Sequence, residues 1–424
     1  MKIARRSFLQ SVLAGGMLGQ GLHLTFVKDL FAKPTGEPIV VGHQCDLTGG
    51  ISSWGYWMDK AARAAVEHLN KTTGIAGRPV AYVVEDTESN PPTGARKFRS
   101  LVQRNNADFI VGSAHSGVNL ASVPIAKELK RVYIPNGMAE EKTGAKGNRY
   151  VFQIGSDTYA QAAAGAEWAN KNLGQEWSFI FADFAWGWSH HKEHARILEP
   201  LGAKLNEPIA VPLDAKDLLP YLAKVKKSTK QLYAIFFGSQ SVALYTQSKS
   251  LGLDKEMHRY SVLCTHEAIA PKDIGGVSEG VYLLEYHPRM LKYKDTLHDR
   301  KLRELMGIDP VDGREQGTNR IIAGSHYWAA WESVFFVKKA VEKSGWRSAK
   351  DTPEFVQAFE GMRVEESFEH PQGAKVIRKE DHKAVIDNYM SRIENGQIHV
   401  KHKIAAKDLE KHFPPRHDFS KETF

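Results

Sequence analysis

The chain has 424 residues, 42% hydrophobic and 25% charged, with a formal charge of +8 and only two cysteines. That length supplies a core for about two to three packed domains. Cys45 and Cys264 lie too far apart in sequence to be a disulfide framework, and leave one bridge or two free thiols open.

At the amino terminus, Lys2, Arg5 and Arg6 precede "SFLQSVLAGGMLGQGLHLTF", an apolar stretch interrupted by Gly15, Gly16, Gly19 and Gly21. It is too weak and broken for a membrane span. The paired arginine followed by Ser7, Phe8 and Leu9 resembles a twin-arginine export signal, which implies a periplasmic protein that loses a leader of residues 1–32. A frayed amphipathic helix is the alternative. Removing the leader discards Lys2, Arg5, Arg6 and Lys28 against Asp29, so the charge falls by 3 to +5. No basic run interleaved with aromatics follows, so nucleic acid is not an expected partner.

From Pro38 the chain alternates short apolar runs with helical patterns. "PIVVGHQ" leads through a glycine-rich turn into a helix ending near Asn70; "VAYVVE", "FIVG" and "VYIP" follow, separated by helices over 95–105 and 119–130. Gly74, Gly77 and Pro79 in "NKTTGIAGRPV" stop the first helix and turn the chain. This spacing predicts βαβ units and a parallel sheet.

The pattern restarts after "YVFQIGSD": a helix over 158–173, "WSFIFAD", a helix through His194, "AKLNEPIAV", a helix near 214–227, "LYAIFFG", a helix through Leu244, "YSVLC" and "GVYLLEY". Two similar α/β lobes follow from the restart. Beyond Tyr286 come three more helical patterns, with "HYWAAWESVFFVKKAVEKS" the strongest, then "AVIDNYMSRIENGQIHV", whose alternation suits paired strands. "KLRELMGIDPVDGREQG" (301–317) reads as a partner-binding insertion or a surface loop, and "PPRHDFSKETF" as a loose tail.

Enzymatic signals are sparse. His190, Glu193 and His194 in "HHKEH" match the H-x-x-E-H spacing of inverted zinc peptidases, in which two histidines one turn apart bind metal and the glutamate acts as base. No third ligand follows, and surface histidines on a polar helix face explain the motif more cheaply. No nucleophile elbow, P-loop or G-x-G-x-x-G follows a predicted strand. Ser113, Ser116 and Ser239 lack a defensible histidine and acid, and His115 is next to Ser116, where adjacent side chains seldom point at each other. The chain is therefore expected to need no catalysis, metal or cofactor.

"LTGGISSWG" running into "AARAAVEHLN", then "GIAGRPVAYVVED", "DFIVGSAHSG", "YVFQIGSD", "FADFAWG" and "SQSVALYTQSKSLGL", in this order and spacing, resemble the extracytoplasmic substrate-binding proteins of ABC transporters, branched-chain amino acid type. The resemblance runs from about Pro38 to Gln397. It implies an α/β type I periplasmic-binding fold of two Rossmann-like lobes with parallel sheets and a three-stranded hinge, closing on a solute. Lobe one takes residues 38–157 plus 286–350, and lobe two 158–285 plus 351–424. The implied partners are a small-molecule solute and membrane permease subunits, with the protein itself a monomer; a sensor feeding a receptor is the alternative role.

In such sheets the ligand sits beyond the carboxyl ends of the strands. Trp54, at the start of the first helix, then faces the cleft, with Gly49, Gly50 and Gly55 allowing the sharp turn. Amides around His115, Ser116 and Gly117 suit a carboxylate at a helix N-terminus, a serine N-cap without ligand being the bland reading. The next contact loop brings Met138 and Ala139, where the family usually has a serine or threonine; that departure weakens the amino-acid assignment. The resemblance carries an aromatic role onto Trp186, an ammonium-binding role onto Glu267 with His266 as rival, and a lesser contact onto Gln240. An amino acid with an apolar or aromatic side chain is the leading solute class, an aromatic carboxylate without ammonium the second.

Overall fold

A computed structural model describes residues 33–290, 296–318 and 320–424, apart from the side chain of Cys264; the export-signal reading of residues 1–32 lies outside them. No helix among the described residues is long and apolar enough to cross a membrane.

The first sheet is built from β1 (Ile39–Cys45), β2 (Val80–Asp86), β3 (Phe109–Gly112) and β4 (Val132–Ile134), in the order β2-β1-β3-β4 and parallel throughout. Its crossovers carry α1 (Ser52–Lys71), α2 (Pro91–Gln103) and α3 (Ser116–Glu128). Helix α1 buries Trp54, Trp57, Met58, Ala61, Ala62, Ala65, Val66 and Leu69, one continuous stripe at helical spacing. Helix α2 starts where Asn90 caps the Thr93 amide and Pro91 supplies a preset φ without a wasted donor.

The second sheet begins with β5 (Glu176–Ala182), β6 (Lys204–Leu205), β7 (Ile209–Val211), β8 (Gln231–Ile235), β9 (His258–Val262) and β10 (Tyr282–Glu285), interleaved with α4 (Thr158–Leu173), α5 (Ala185–Leu198) and α6 (Gly238–Ser250). The predicted helix near 214–227 is only a turn over Leu219–Leu222, because Pro220 can open a helix there but not lie inside one. After β10 the chain returns to the first sheet through α7 (Leu297–Leu305), α8 (Tyr327–Ser344) and α9 (Thr352–Phe359). Helix α8 packs along α1. Helix α9 also sits on the first sheet, with the Phe355 ring 4.5 Å from Phe109, although a division at 350 groups it with the second.

A small antiparallel sheet of β11 (Arg363–Val364), β12 (Lys375–Ile377) and β13 (Ala384–Val385) then leads to β14 (Asn388–Glu394) and β15 (Gln397–Ile404). These last two complete the second sheet, ordered β15-β14-β10-β9-β8-β5-β6 with β7 beside β5. Their two-residue turn, Asn395 and Gly396, has both φ positive, as a tight hairpin requires. The chain therefore passes between the sheets three times, after β4, after β10 and after α9. Gln153 on the first passage pairs with Lys383 on the third, which makes this the hinge of a two-lobed α/β molecule of the type I periplasmic-binding kind.

Two further segments acquire definite places. Residues 308–318 and 320–321 fold back on themselves, and neighbouring side chains in them reach opposite sides. Arg314 Nη2 donates to Asp273, beside the second sheet, at 2.9 Å, while Glu315 Oε1 accepts from Tyr56 and Lys60 of α1 at 2.5 Å each. The carboxy-terminal tail is docked rather than loose. Arg416 stacks on Tyr159 at 3.6 Å and pairs with Glu193 at 2.5 Å, and Phe419 is buried against the His382 ring. Those contacts give a short polar-looking segment the anchors that its composition does not advertise.

Candidate functional site

The carboxyl ends of the two sheets face one another across a cleft, and each sheet sends loops into it. On the first side, β1 ends at Cys45, Asp46 follows it, and the chain turns through Gly49, whose φ is +87°. A Cβ on Gly55 would stand 1.9 Å from the Asp46 carbonyl, so only glycine lets α1 start this close to the strand and bring Trp54 to the cleft. Cys45 just before it is a buried free thiol, 3.3 Å from the Gly55 carbonyl.

The loop after β3 is organised by Asp46. Its carboxylate accepts from Ser113 Oγ at 2.7 Å, the Ala114 amide at 2.8 Å and the Thr87 hydroxyl. Burial raises its pKa, and the hydroxyl donors of Thr87 and Ser113 offset part of that rise. The His115 amide also turns to Asp46, at 3.3 Å, and His115 Nδ1 caps the Val118 amide at 3.3 Å. Of the amides expected to meet an anion, those of Ser116 and Gly117 are left as first-turn donors without an intrahelical acceptor. Capping through Nδ1 leaves the proton of a neutral His115 on Nε2.

Ser116 Oγ accepts from the Met138 and Ala139 amides at 3.3 and 3.1 Å, which pins the loop after β4 to the start of α3. Its own hydroxyl proton remains to be donated. From the second sheet come Phe184 and Trp186 after β5, and Phe237 after β8. Rings join the two sides: Trp54 to Phe237 at 5.9 Å, Phe237 to Phe184 at 5.7 Å, Phe184 to Trp186 at 5.8 Å and Phe184 to His115 at 5.5 Å. His326, at the mouth of α8, lies against Trp54 at 6.3 Å. Burial drives the His326 imidazole down to about 3, so it is neutral, with Nδ1 2.5 Å from Ser325 Oγ.

These groups enclose a cavity of about 30 Å³ lined by Ile51, Trp54, Ala114, His115, Ser116, Met138, Phe184, Trp186, Phe237 and His326. Five of the residues nominated from sequence line it: Trp54, His115, Ser116, Met138 and Trp186. The other five do not. Gly117 packs by Pro91, and Ala139 contributes its amide to Ser116. Gln240 donates to the Pro212 and Ala215 carbonyls at 2.9 Å, holding a loop. His266 is buried against Tyr245, the rings 4.7 Å apart. Glu267, nominated to meet an ammonium, accepts from the Ser325 amide at 2.9 Å, and burial raises its carboxyl to about 7. No carboxylate or guanidinium stands among the cavity-lining residues.

Phe184, Phe237 and His326 were not nominated. The two phenylalanines each stand two residues beyond a strand of the second sheet, so the rule that found Trp54 would have found them too. His326 precedes a helix with no strand before it and offers no such signal.

The H-x-x-E-H residues are not surface histidines. His190, Glu193 and His194 are all fully buried, the two histidines against Tyr233 of the second sheet and Glu193 under Arg416 of the carboxy-terminal tail. His190 Nδ1 is 2.9 Å from Tyr233 OH, and the His194 ring lies 4.3 Å from that of Tyr233. Burial opposes ionisation of Glu193, yet Arg416 and Arg196 hold its carboxyl below the usual range, unlike a general base waiting for a proton. Among the described residues no group of three His, Cys, Asp or Glu side chains is placed to hold a metal.

The family model for periplasmic binding proteins matches residues 38–397. The leucine-, isoleucine-, valine-, threonine- and alanine-binding protein of Pseudomonas aeruginosa is 24% identical over 332 residues, covering 77% of this chain and 82% of that one. Leu/Ile/Val-binding protein homolog 1 of Brucella abortus is 26% identical over 201 residues, or 45% of this chain; the match spans about half, 51%, of the Brucella protein. Among solved structures, a solute-binding protein of an ABC transporter from Rhodopseudomonas palustris, in complex with 3,4-dihydroxybenzoic acid, superimposes with a TM-score of 0.75 at 19% identity, covering 87% of this chain and 98% of that one. A leucine-binding protein from Thermotoga maritima gives 0.72 at 18% identity, covering 87% and 99%.

Proposed function

The chain belongs to the periplasmic binding protein family, and from that premise we propose that it is the exported solute-binding component of an ABC transporter. It captures a small carboxylate-bearing solute between its lobes in the periplasm and presents it, as a monomer, to membrane permease subunits. The moving lobes are residues 38–157 with the return segment through α9, and residues 158–285 with the carboxy-terminal strands. The observation that carries the reading is the aromatic cavity between the lobes, with the Ser116 hydroxyl and the free amides of α3 at one end. These donors and the dipole of a 13-residue helix suit an anion.

The cleft favours an aromatic carboxylate over an amino acid. An ammonium group would need an acidic or carbonyl-rich partner to offset its desolvation. Glu267, with Oε1 on the Ser325 amide, stands outside the cavity lining, and no carboxylate is among the lining residues. Flat aromatic groups, in contrast, match walls made of Trp54, Trp186, Phe184 and Phe237. A benzene-sized guest occupies a cavity of roughly 150 Å³, several times the space present, so entry requires the lobes to part about the hinge and reclose.

A receptor-feeding role is the second reading, favoured by a short match of 38% identity over 88 residues, 20% of this chain, to a chemotactic substrate-binding protein of Halobacterium salinarum. The test for solute capture is the melting temperature of the protein against aromatic acids, aliphatic acids, amides and amino acids. A ligand bound only by the folded state raises it by mass action. Aromatic acids are expected to give the largest rise; a flat response to every solute overturns the reading.

A further inference from the structure

Among the described residues three lysines are buried, and two of them meet a carboxylate: Lys375 Nζ lies 2.5 Å from Glu332, and Lys383 Nζ 2.5 Å from Asp157. Lys142, in the single 3-10 turn Glu140–Thr143, does not. It is 0% exposed and its Nζ donates to the Ala139 carbonyl at 3.1 Å, yet among the described residues no carboxylate stands within ion-pair distance of it. An ammonium carries three donors, and a buried charge without a counter-ion is costly, so lysine is seldom buried unless paired.

The acids around Lys142 are engaged elsewhere. Asp157, the N-cap of α4, holds Lys383 and the Ala160 amide; Glu140 pairs with Lys192 of α5 at 2.8 Å; Glu141 accepts from Ser189 at 3.1 Å. Lys383, on the third passage between the lobes, adds a like charge. Burial, opposed by Asp157 and reinforced by Lys383, brings the Lys142 ammonium down to about 7. From the mouth of α8, His326 feels this charge, which adds to burial in keeping the imidazole neutral.

The place of the charge gives it a use. Ala139, whose carbonyl accepts from Lys142, sends its amide to Ser116 Oγ at 3.1 Å, so a single residue separates the ammonium from the hydroxyl at the anion end of the cavity. Lys142 is not itself among the lining residues, and none of those carries a permanent charge.

Resting on the reading of this cavity as the solute site, we infer that the captured carboxylate is the counter-ion that Lys142 lacks, so that this ammonium, behind the wall, is what separates an acid from its uncharged amide. Lys142 is thus a specificity-determining residue that acts through the Ala139 loop without touching the solute. In a poorly polarisable interior one charge acts across such a gap far more strongly than it does in water. A solute without an ammonium group gains the whole of this attraction, whereas an amino acid gives part of it back. Carboxylate and ammonium stabilise each other, so capture above pH 7 draws a proton from the buffer onto Nζ.

The experiment is calorimetric titration of the wild type, Lys142→Met and Lys142→Gln with benzoate and benzamide, phenylacetate and phenylacetamide, 4-methylpentanoate and 4-methylpentanamide, phenylalanine and leucine. Each is run near pH 6 and pH 9, and near pH 8 in two buffers of different ionisation heat. The wild type is expected to bind its best acid about tenfold or more tighter than the matching amide near pH 6, and to lose about tenfold in acid affinity by pH 9. Near pH 8 the acid takes up a proton and the amide does not. Lys142→Met weakens the acid about tenfold near pH 6, leaves the amide within about twofold, and abolishes both the pH dependence and the proton uptake; Lys142→Gln does the same. Should neither variant fold, the wild-type contrast in proton uptake between acid and amide carries the test. Equal wild-type affinity for acid and amide, equal weakening of both by the variants, or a pH dependence that persists in Lys142→Met overturns the inference. Binding of leucine or phenylalanine but of no simple acid overturns it too and leaves solute capture standing, whereas binding of no small solute brings down both.

Discussion

Two places in this molecule set a pair of histidines among aromatic rings, and they differ in what surrounds them. On α5, His190 and His194 share one helix face, four residues apart, and pack against Tyr233 and Trp177 inside the second lobe. At the cleft, His115 and His326 come from distant parts of the chain and both line open volume bordered by Trp54 and Phe184. The first pair has the spacing of a metal motif and behaves as core. The second has no motif and lines the site. Spacing along a helix decides which side chains share a face, but whether that face meets a packed sheet or a cavity is decided by tertiary placement.

That contrast can be broken from either side. The largest effect is expected from His194→Ala, which removes a fully buried ring beside Tyr233: a loss of about 3 kcal/mol in unfolding free energy, by analogy with other large-to-small core changes, with solute affinity in the folded fraction unchanged. Denaturant melts paired with titration check it; a large affinity loss without destabilisation would move the site to α5. Phe237→Ala should do the reverse, weakening solute binding about tenfold, or roughly 1.4 kcal/mol, with a smaller change in the melt. Both sit in the second lobe, so a shared outcome would erase the distinction.

How far the cleft was legible in the sequence follows from the same residues. The strand and helix alternation of both lobes is written in runs such as "PIVVGHQ" and "WSFIFAD", because a strand covered on both faces needs apolar side chains throughout. The glycines before Trp54 flagged a tight approach to a strand end, and Ser116 could be placed at a helix start. Glu267 misled, since an acidic residue after a strand looks the same whether it faces a cleft or a backbone amide inside the protein. His326 and the docked tail, held by Arg416 on Glu193 and Tyr159, depend on partners more than a hundred residues away and left no local pattern.

Smaller effects concern what holds the lobes together and what titrates near them. Arg314 and Glu315 are neighbours bonded to opposite lobes, so Arg314→Ala should weaken closure by no more than about 1 kcal/mol, the range of a partly exposed ion pair, read as a loss of affinity of fivefold or less that shrinks in high salt. No change at low salt would remove the segment around Arg314 and Glu315 from any part in closure. The smallest effect is pH-dependent. Burial raises the Glu267 carboxyl to about 7, so the folded state keeps a proton that the unfolded chain releases above its ordinary carboxylate range. Wild-type stability from this group is fully present at low pH and is lost as pH rises through about 7. Glu267→Gln does not titrate, so its melting temperature should match the wild type near pH 4 and exceed it above pH 7; a constant offset across that range would mean that the carboxyl does not titrate there.

The most direct test sets the two tryptophans Trp54 and Trp188 against each other by calorimetric titration with the best-binding aromatic acid. Trp54 is buried in the cavity wall, whereas Trp188 is 44% exposed on α5, its indole nitrogen tied to Asp183 at 2.7 Å. Trp54→Ala is predicted to weaken binding by roughly thirtyfold or more, the cost of about 2 kcal/mol typical of a buried aromatic anchor, and Trp188→Ala to leave it within twofold. Binding that survives Trp54→Ala but is lost in Trp188→Ala would contradict the assignment of the cleft as the solute site.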